Sequence, residues 1–587
     1  MKNKFWQIST LFIVASYVSI YPTCLAQNSK MELASAAPAD GSENTAAAPE
    51  APAAPPVKTE VASAPAVPGA DVRPAMVKEL EAMKQRIAEL EAELAASGAT
   101  TADAATALES AKEKLEPHAV PAAIVQTVTP EAAAAPAPAG KIVPFSDWDW
   151  TWLNGNPRNK DTAFDSKFFT PEIRADITYT YDFNKPIDDS MGGSSELFRA
   201  NEIQLEQLGI GGDFHLDNVR ARFMTQFGAY STATIRNDPS YAKGQWDLAD
   251  ADRYLSEAYG GYHINALYGI NVDAGIFMSY IGLFSYYNFD NWAYQPSYVS
   301  SNTPWFFQGV RIQVFPTAHL KIEPWIINGW QSYASANSRK GLGGQLKWTP
   351  RSWLNIISNN YGLGHDDLYT PNRGRLHTDN SVEVKYYDHP ERTLDKMAFS
   401  FTGDLGCEFG NGVSCHGDTA GGPKQSFIGY MIYDRTWFKK DNYGLTIGGG
   451  QINNPGRYLV LLPPINGETA ASAAINSPYF TENPGDPFIA WDSSITFDYM
   501  PRQWLTFRAE YDYRHANVPY WSGHGGITPP AFLGSAVGTN NGFPTQYACF
   551  DGTPSPTING CGNNGGTWFP DLRRDESLMD FDIMVKF

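Results

Sequence analysis

From about residue 171 onward, apolar and polar positions alternate with a period of two, in one short segment after another. Ile173, Ala175, Ile177, Tyr179, Tyr181 and Phe183 fall on one side of the first such segment. Arg174, Asp176, Thr178, Thr180 and Asp182 fall on the other. The pattern returns in Leu505, Phe507, Ala509, Tyr511 and Tyr513 against Thr506, Arg508, Glu510, Asp512 and Arg514. It closes the sequence with Met579, Phe581, Ile583, Val585 and Phe587 against Asp580, Asp582, Met584 and Lys586. A strand shows successive side chains to opposite faces. Charge on one face and only apolar groups on the other predicts strands that meet lipid outside and water inside.

Sixteen segments of this kind can be placed: 172–182, 202–213, 219–229, 254–264, 268–278, 305–315, 319–329, 341–348, 353–362, 379–387, 396–404, 425–436, 442–451, 489–499, 503–513 and 577–587. The connections between them alternate long and short. His215–Asn218, Asn265–Leu267, Pro316–Ala318, Thr349–Ser352 and Met500–Arg502 are brief, while 183–201, 230–253, 279–304, 452–488 and 514–576 are long. Outer-membrane barrels have brief periplasmic turns, long external loops and an even strand number. The expected fold is therefore all-β, an antiparallel up-and-down transmembrane barrel of about 16 strands, with 14 or 18 as alternatives. Trp348, Trp353, Trp437, Phe438 and Trp504 gather near the short turns, where an aromatic girdle at the inner lipid boundary is expected.

The region upstream has other periodicities. Lys2 and Lys4 precede an apolar stretch, Ile8–Ile20, and Ala26 ends the segment, which reads as a signal peptide over 1–26. Residues 27–73 and 117–145 are rich in Ala and Pro and read as linkers. Between them Met76, Leu80, Met83, Ile87, Leu90 and Leu94 mark a heptad seam, so 74–116 is expected to form a periplasmic coiled-coil helix. A helix this short is marginal alone, which favours assembly with copies of itself. The barrel is assigned 146–587.

Composition narrows the function. A net charge of −19 argues against nucleic acid. A signal peptide implies an oxidising compartment, and its removal takes Cys24 with it. Cys407 with Cys415 and Cys549 with Cys561 then remain as two local pairs, in the sixth and eighth long connections. They are expected as loop disulfides, since neither pair has the tight spacing of a zinc ribbon. Nothing in the sequence calls for a metal or cofactor.

Sixteen strands leave room for an aqueous channel. Inferred lumen charges include Arg174, Asp176, Arg220, Arg222, Glu383, Lys385, Arg508, Glu510, Asp512, Asp580 and Asp582, with Glu202 at the start of the second strand. Acids lead slightly, which leans toward cations if the charges select ions. Solvated pairs that only keep the lumen wet are the other reading. The third long connection, 279–304, carries Tyr286, Tyr287, Asp290, Trp292 and Tyr294 and is the candidate constriction. Its rings either stack on solutes or pack the loop against the wall.

Several stretches carry a specific resemblance: Gly275–Phe284 (GIFMSYIGLF), Asn291–Tyr298 (NWAYQPSY), Trp305–Arg311 (WFFQGVR), Ile327–Trp330 (INGW) and Gly341–Leu346 (GLGGQL). With Tyr179–Pro186 as an opening strand, residues from about 170 to 587 resemble the OmpL-like family of β-barrel porins. The leader resembles those of trimeric porins. The resemblance implies passive diffusion of small solutes or ions through an outer membrane of a Gram-negative-type cell, in a homotrimer. It brings no substrate and no catalytic residue. Lipid is the expected surroundings, and the C-terminal strand ending in Phe587 is the expected signal to the barrel assembly machinery. A tether or adhesin barrel is the alternative. A barrel hydrolase is a further one, for which His365 with Asp366 and Asp367, or His524, are the candidates; no nucleophile motif accompanies them.

Overall fold

The computed structural model describes residues 143–587, apart from 456–487, most of 525–571 and shorter pieces of other connections. The signal peptide, the first linker, the coiled-coil segment and the second linker to residue 142 lie outside the described residues. So do His365–Asp367, Cys549 and Cys561.

Sixteen antiparallel strands form one closed barrel. They are β1 Phe169–Asp182, β2 Ile203–Leu216, β3 Val219–Thr225, β4 Leu255–Ile264, β5 Ile270–Met278, β6 Phe306–Thr317, β7 Leu320–Ile327 and β8 Gly341–Arg351. The second half comprises β9 Leu354–Gly362, β10 Gly374–Asp388, β11 Leu394–Phe409, β12 Ser426–Phe438, β13 Tyr443–Asn454, β14 Phe488–Arg502, β15 Leu505–Ala516 and β16 Asp575–Lys586. Each strand pairs with its neighbours in sequence, and β1 closes the ring on β16 in the register Arg174↔Lys586 to Asp182↔Leu578. Among the described residues, no helix is long and apolar enough to cross a membrane.

All sixteen predicted strands are present, and the differences lie at their ends. β10 begins at Gly374 and β11 runs to Phe409, because cross-strand pairing continues through Arg375↔Glu408. The Arg375 guanidinium also meets the Glu408 carboxylate at 2.7 Å. Cys407 is therefore a strand residue rather than a loop residue. It is bonded to Cys415, with the two Cα atoms 5.1 Å apart.

The alternation seen in the sequence becomes an inside and an outside. Outward positions such as Ile173, Ile447, Phe497, Phe581 and Ile583 are exposed, as lipid-facing groups must be in an isolated barrel. Trp348 and Trp353 also face out near a short turn. Trp437 does not. It sits one residue before Phe438, so the two point to opposite faces, and Trp437 is buried in the bore edge-to-face with Trp292. Glu202 lies ahead of β2 in the first long connection, where it pairs with Arg199 at 2.5 Å.

A charge placed on the outer face near mid-strand should cost what lipid exposure costs. Phe581→Arg is expected to destabilise the barrel by about 2–4 kcal/mol, read by denaturant unfolding in lipid vesicles. An unchanged midpoint would mean that this face does not meet hydrocarbon.

Candidate functional site: the filled bore

Two segments that are not strands enter the bore. The first is the third long connection, residues 279–305, between adjacent strands β5 and β6. It folds inward, so that Tyr286, Tyr287, Asp290, Trp292 and Tyr294 are all buried. Its route across the barrel is fixed by wall groups. The Tyr287 hydroxyl donates to Glu257 at 2.9 Å, and Asp290 pairs with Arg174 at 2.9 Å on β1. The Tyr294 hydroxyl donates to Asp176 at 3.0 Å. Backbone N–H groups of Tyr294 and Gln295 both donate to the Glu510 carboxylate, at 2.7 Å each. Further on, the Ser297 hydroxyl and the Tyr298 N–H donate to Asp492, at 3.0 and 2.9 Å. Tyr287, Asp290 and Tyr294 thus spend their side-chain polar atoms on the wall. Tyr286 does the same toward Gln226.

The second is the segment before β1, which the alternation pattern does not register. Phe145 N–H donates to the Ala318 carbonyl at 2.8 Å, beside the β6–β7 turn, and His319 Nε2 lies 2.8 Å from Asp147. Arg158 then reaches the carbonyls of Arg502 (3.0 Å) and Leu505 (2.6 Å), at the β14–β15 turn. These turns are eight strands apart in a ring of sixteen, so residues 145–159 cross the short-turn mouth along a diameter. Midway, Asn154 N–H donates to Glu383 at 2.7 Å, and Asn154 Oδ1 accepts from the Trp292 N–H at 2.8 Å. The inner segment and the third loop are therefore in direct contact.

Gly155 shows how close that contact is. Its φ is +68°, in the left-handed region, and a Cβ there would lie 2.6 Å from the Leu283 carbonyl oxygen. Trp150 and Trp152 are fully buried beside it. At the rim, burial works to raise the Asp149 pKa, but Lys396, Lys160 and the Thr151 hydrogen bonds hold it down at about 2.

The lumen charges are correspondingly shielded rather than water-lined. Arg222 bridges Glu172 (3.0 Å), Asp213 (2.8 Å) and Glu257 (2.6 Å), and Arg220 pairs with Asp273 at 3.3 Å. Arg508 holds Asp498 at 2.7 Å and Arg514 holds Asp512 at 2.7 Å, whereas Lys385 pairs at 2.5 Å with Asp388, which is exposed at the end of β10. Asp582 accepts from Thr178 at 2.5 Å, while Asp580 is buried opposite Thr180 and Glu510. A wet wall of solvated pairs does not describe these positions, because the loop and the inner segment fill the space in front of them. His524 is exposed, with Nδ1 3.3 Å from the Lys185 carbonyl oxygen.

A sealed ring of lipid-facing strands with charged groups turned inward defines an outer-membrane β-barrel of the porin class. The model of the family described as "Putative beta-barrel porin-2, OmpL-like" matches residues 174–539, more than half of the chain, and the protein belongs to that family. No curated protein matches the sequence. Among solved structures, OmpT of Vibrio cholerae is 10% identical with a TM-score of 0.37, covering 73% of this chain and 100% of that one. The channel DcaP of Acinetobacter baumannii is 12% identical with a TM-score of 0.37 and covers 73% and 100%. OprD of Pseudomonas aeruginosa is 10% identical at 0.31, covering 73% and 98%.

Glu510 offers a test of how the loop is held. Each hydrogen bond to a charged group contributes about 1.5–3 kcal/mol. In Glu510→Ala, the amides of Tyr294 and Gln295 should exchange with solvent far faster than in the wild type. Unchanged protection would show that other contacts alone hold the loop in place.

Proposed function

We propose that the protein is a diffusion channel for small hydrophilic solutes or ions, constricted in two layers. The third long connection forms the outer layer and residues 145–159 form the inner one. The observation that carries this reading is the direct contact between the two layers inside a closed barrel of a porin family. Passage requires one layer to shift, and the inner layer is the smaller obstacle. In planar bilayers the purified full-length protein should give discrete conductance steps, and deletion of residues 143–160 should raise the unit conductance. Absence of current from both forms would remove the channel reading and favour a tether or adhesin barrel. Hydrolysis of peptide or lipid substrates by the silent barrel would favour an enzyme instead.

Assembly as a homotrimer is part of the same proposal, with residues 1–26 removed on export and the coiled coil of 74–116 in the periplasm. Cys549 and Cys561 form the second loop disulfide in this reading, and the terminal strand is what the assembly machinery recognises. A surface feature supports contact between copies. Ser358 and Asn360 on β9 and Thr378 and Asn380 on β10 face outward at mid-strand, where other outward positions are mostly apolar. They bond to one another, with Ser358 donating to Asn380 at 2.6 Å. Polar amides are costly against hydrocarbon and favourable against a second protein. Unboiled gel migration should show a trimer, and Asn360→Leu with Asn380→Leu should weaken it. A trimer indifferent to this double change would place the interface elsewhere.

A further inference from the structure

Where the two layers meet the wall, a small cavity of about 20 Å³ remains, lined in part by Arg158, Arg435, Arg508, Asp290, Asp498 and Trp292. That is room for a particle the size of one water molecule. Its lining carries three guanidiniums against two carboxylates. Arg435 and Arg508 both pair with the single carboxylate of Asp498, each at 2.7 Å. Asp290 is already shared by Arg174 at 2.9 Å and Lys586 at 3.7 Å. Arg158 has no carboxylate within ion-pairing distance among the described residues. Its Nη2 donates to the Arg502 and Leu505 carbonyls and to Thr506 Oγ1, while its Nε–H has no partner. The buried indole N–H of Trp292 is likewise unpartnered.

Arg158 is half-buried over the Phe289 ring, 4.8 Å from its centroid, with no carboxylate paired to it, and a buried N–H without an acceptor is costly. One negatively charged acceptor in the cavity relieves both. We infer that this cavity is an anion subsite of the constriction, which takes a halide-sized ion or the carboxylate end of a small solute. Arg158 supplies the uncompensated charge, Arg435 and Arg508 add to the field, and Trp292 Nε1 is an additional donor. The subsite is split between the inner segment, the third loop and the wall, so it exists only while the two layers are in contact. It rests on the channel reading for its part in transport, but binding itself does not. The slight lead of acids over the whole lumen is thus reversed at this cavity.

Two measurements separate these claims. Crystals of the full-length protein grown in bromide should show an anomalous peak among Arg158, Arg435 and Trp292. The peak should be lost in Arg158→Gln and weakened in Trp292→Phe. No peak in the wild type, or an undiminished one in Arg158→Gln, overturns the subsite. In bilayers under a potassium chloride gradient, the wild-type reversal potential should show anion preference, and Arg158→Gln should move it toward cations. Replacing chloride by acetate then tests the carboxylate source: blocked or slowed current supports a carboxylate held at the same place. An open channel with cation preference indifferent to Arg158→Gln overturns a role in selection. A bromide peak in a barrel that passes no current at all would keep the subsite and reject the channel.

Discussion

In hydrocarbon every backbone N–H and C=O must find its partner within the protein, and a strand at an open edge has none. The pairing of β1 with β16 removes the two edges, and the rest of the architecture depends on it. Closure makes one face of each strand meet lipid and the other meet the bore. The alternation in the sequence follows, as does the abundance of aromatic and β-branched groups on the outer face. It also explains why the last strand is as regular as any other: it is the seam, hydrogen-bonded on both sides to β15 and β1.

Inside the ring, the same constraint takes a different form. A wide barrel with charged inner walls is stable if water fills it. If polypeptide fills it instead, those charges need new partners. Here they find them in two ways. Some pair across strands, as in the group around Arg222 with its three carboxylates. Others accept backbone N–H groups that an irregular loop would otherwise leave unsatisfied: Glu510, Asp492 and Glu383 each receive at least one. The inner-wall acids therefore serve as anchors for the loop and the inner segment. A backbone without regular structure can lie in the bore because the wall completes its hydrogen bonds.

The strands were legible because their signal is local and repeated, and because a turn's length reports which side of the membrane it lies on. Residues 379–387 were recognisable as a strand, but its extension to Gly374 rests on pairing with β11, a long-range fact. The inward fold of the third loop was suggested by its aromatics and its position. Its partners were not, since Glu510 and Asp176 look alike in an alternating pattern whether they face water or a loop. Trp437 was misread because proximity to a turn says nothing about face; the alternation with Phe438 would have settled it. The inner segment was missed altogether. Its signal was the run of Trp148, Trp150 and Trp152 with polar residues between, too short for a barrel strand and too aromatic for a linker. Arg158 had no sequence signal, since its role comes from the groups that fail to reach it.

The two layers differ in how they are joined to the ring. The third loop enters and leaves through neighbouring strands on the long-loop side, so its reach is limited at both ends. Residues 145–159 begin and end at the short-turn mouth, and only their C-terminal end runs directly into the wall, at Phe169. Such a piece takes part in no strand pairing, so the ladder of the ring would survive its loss.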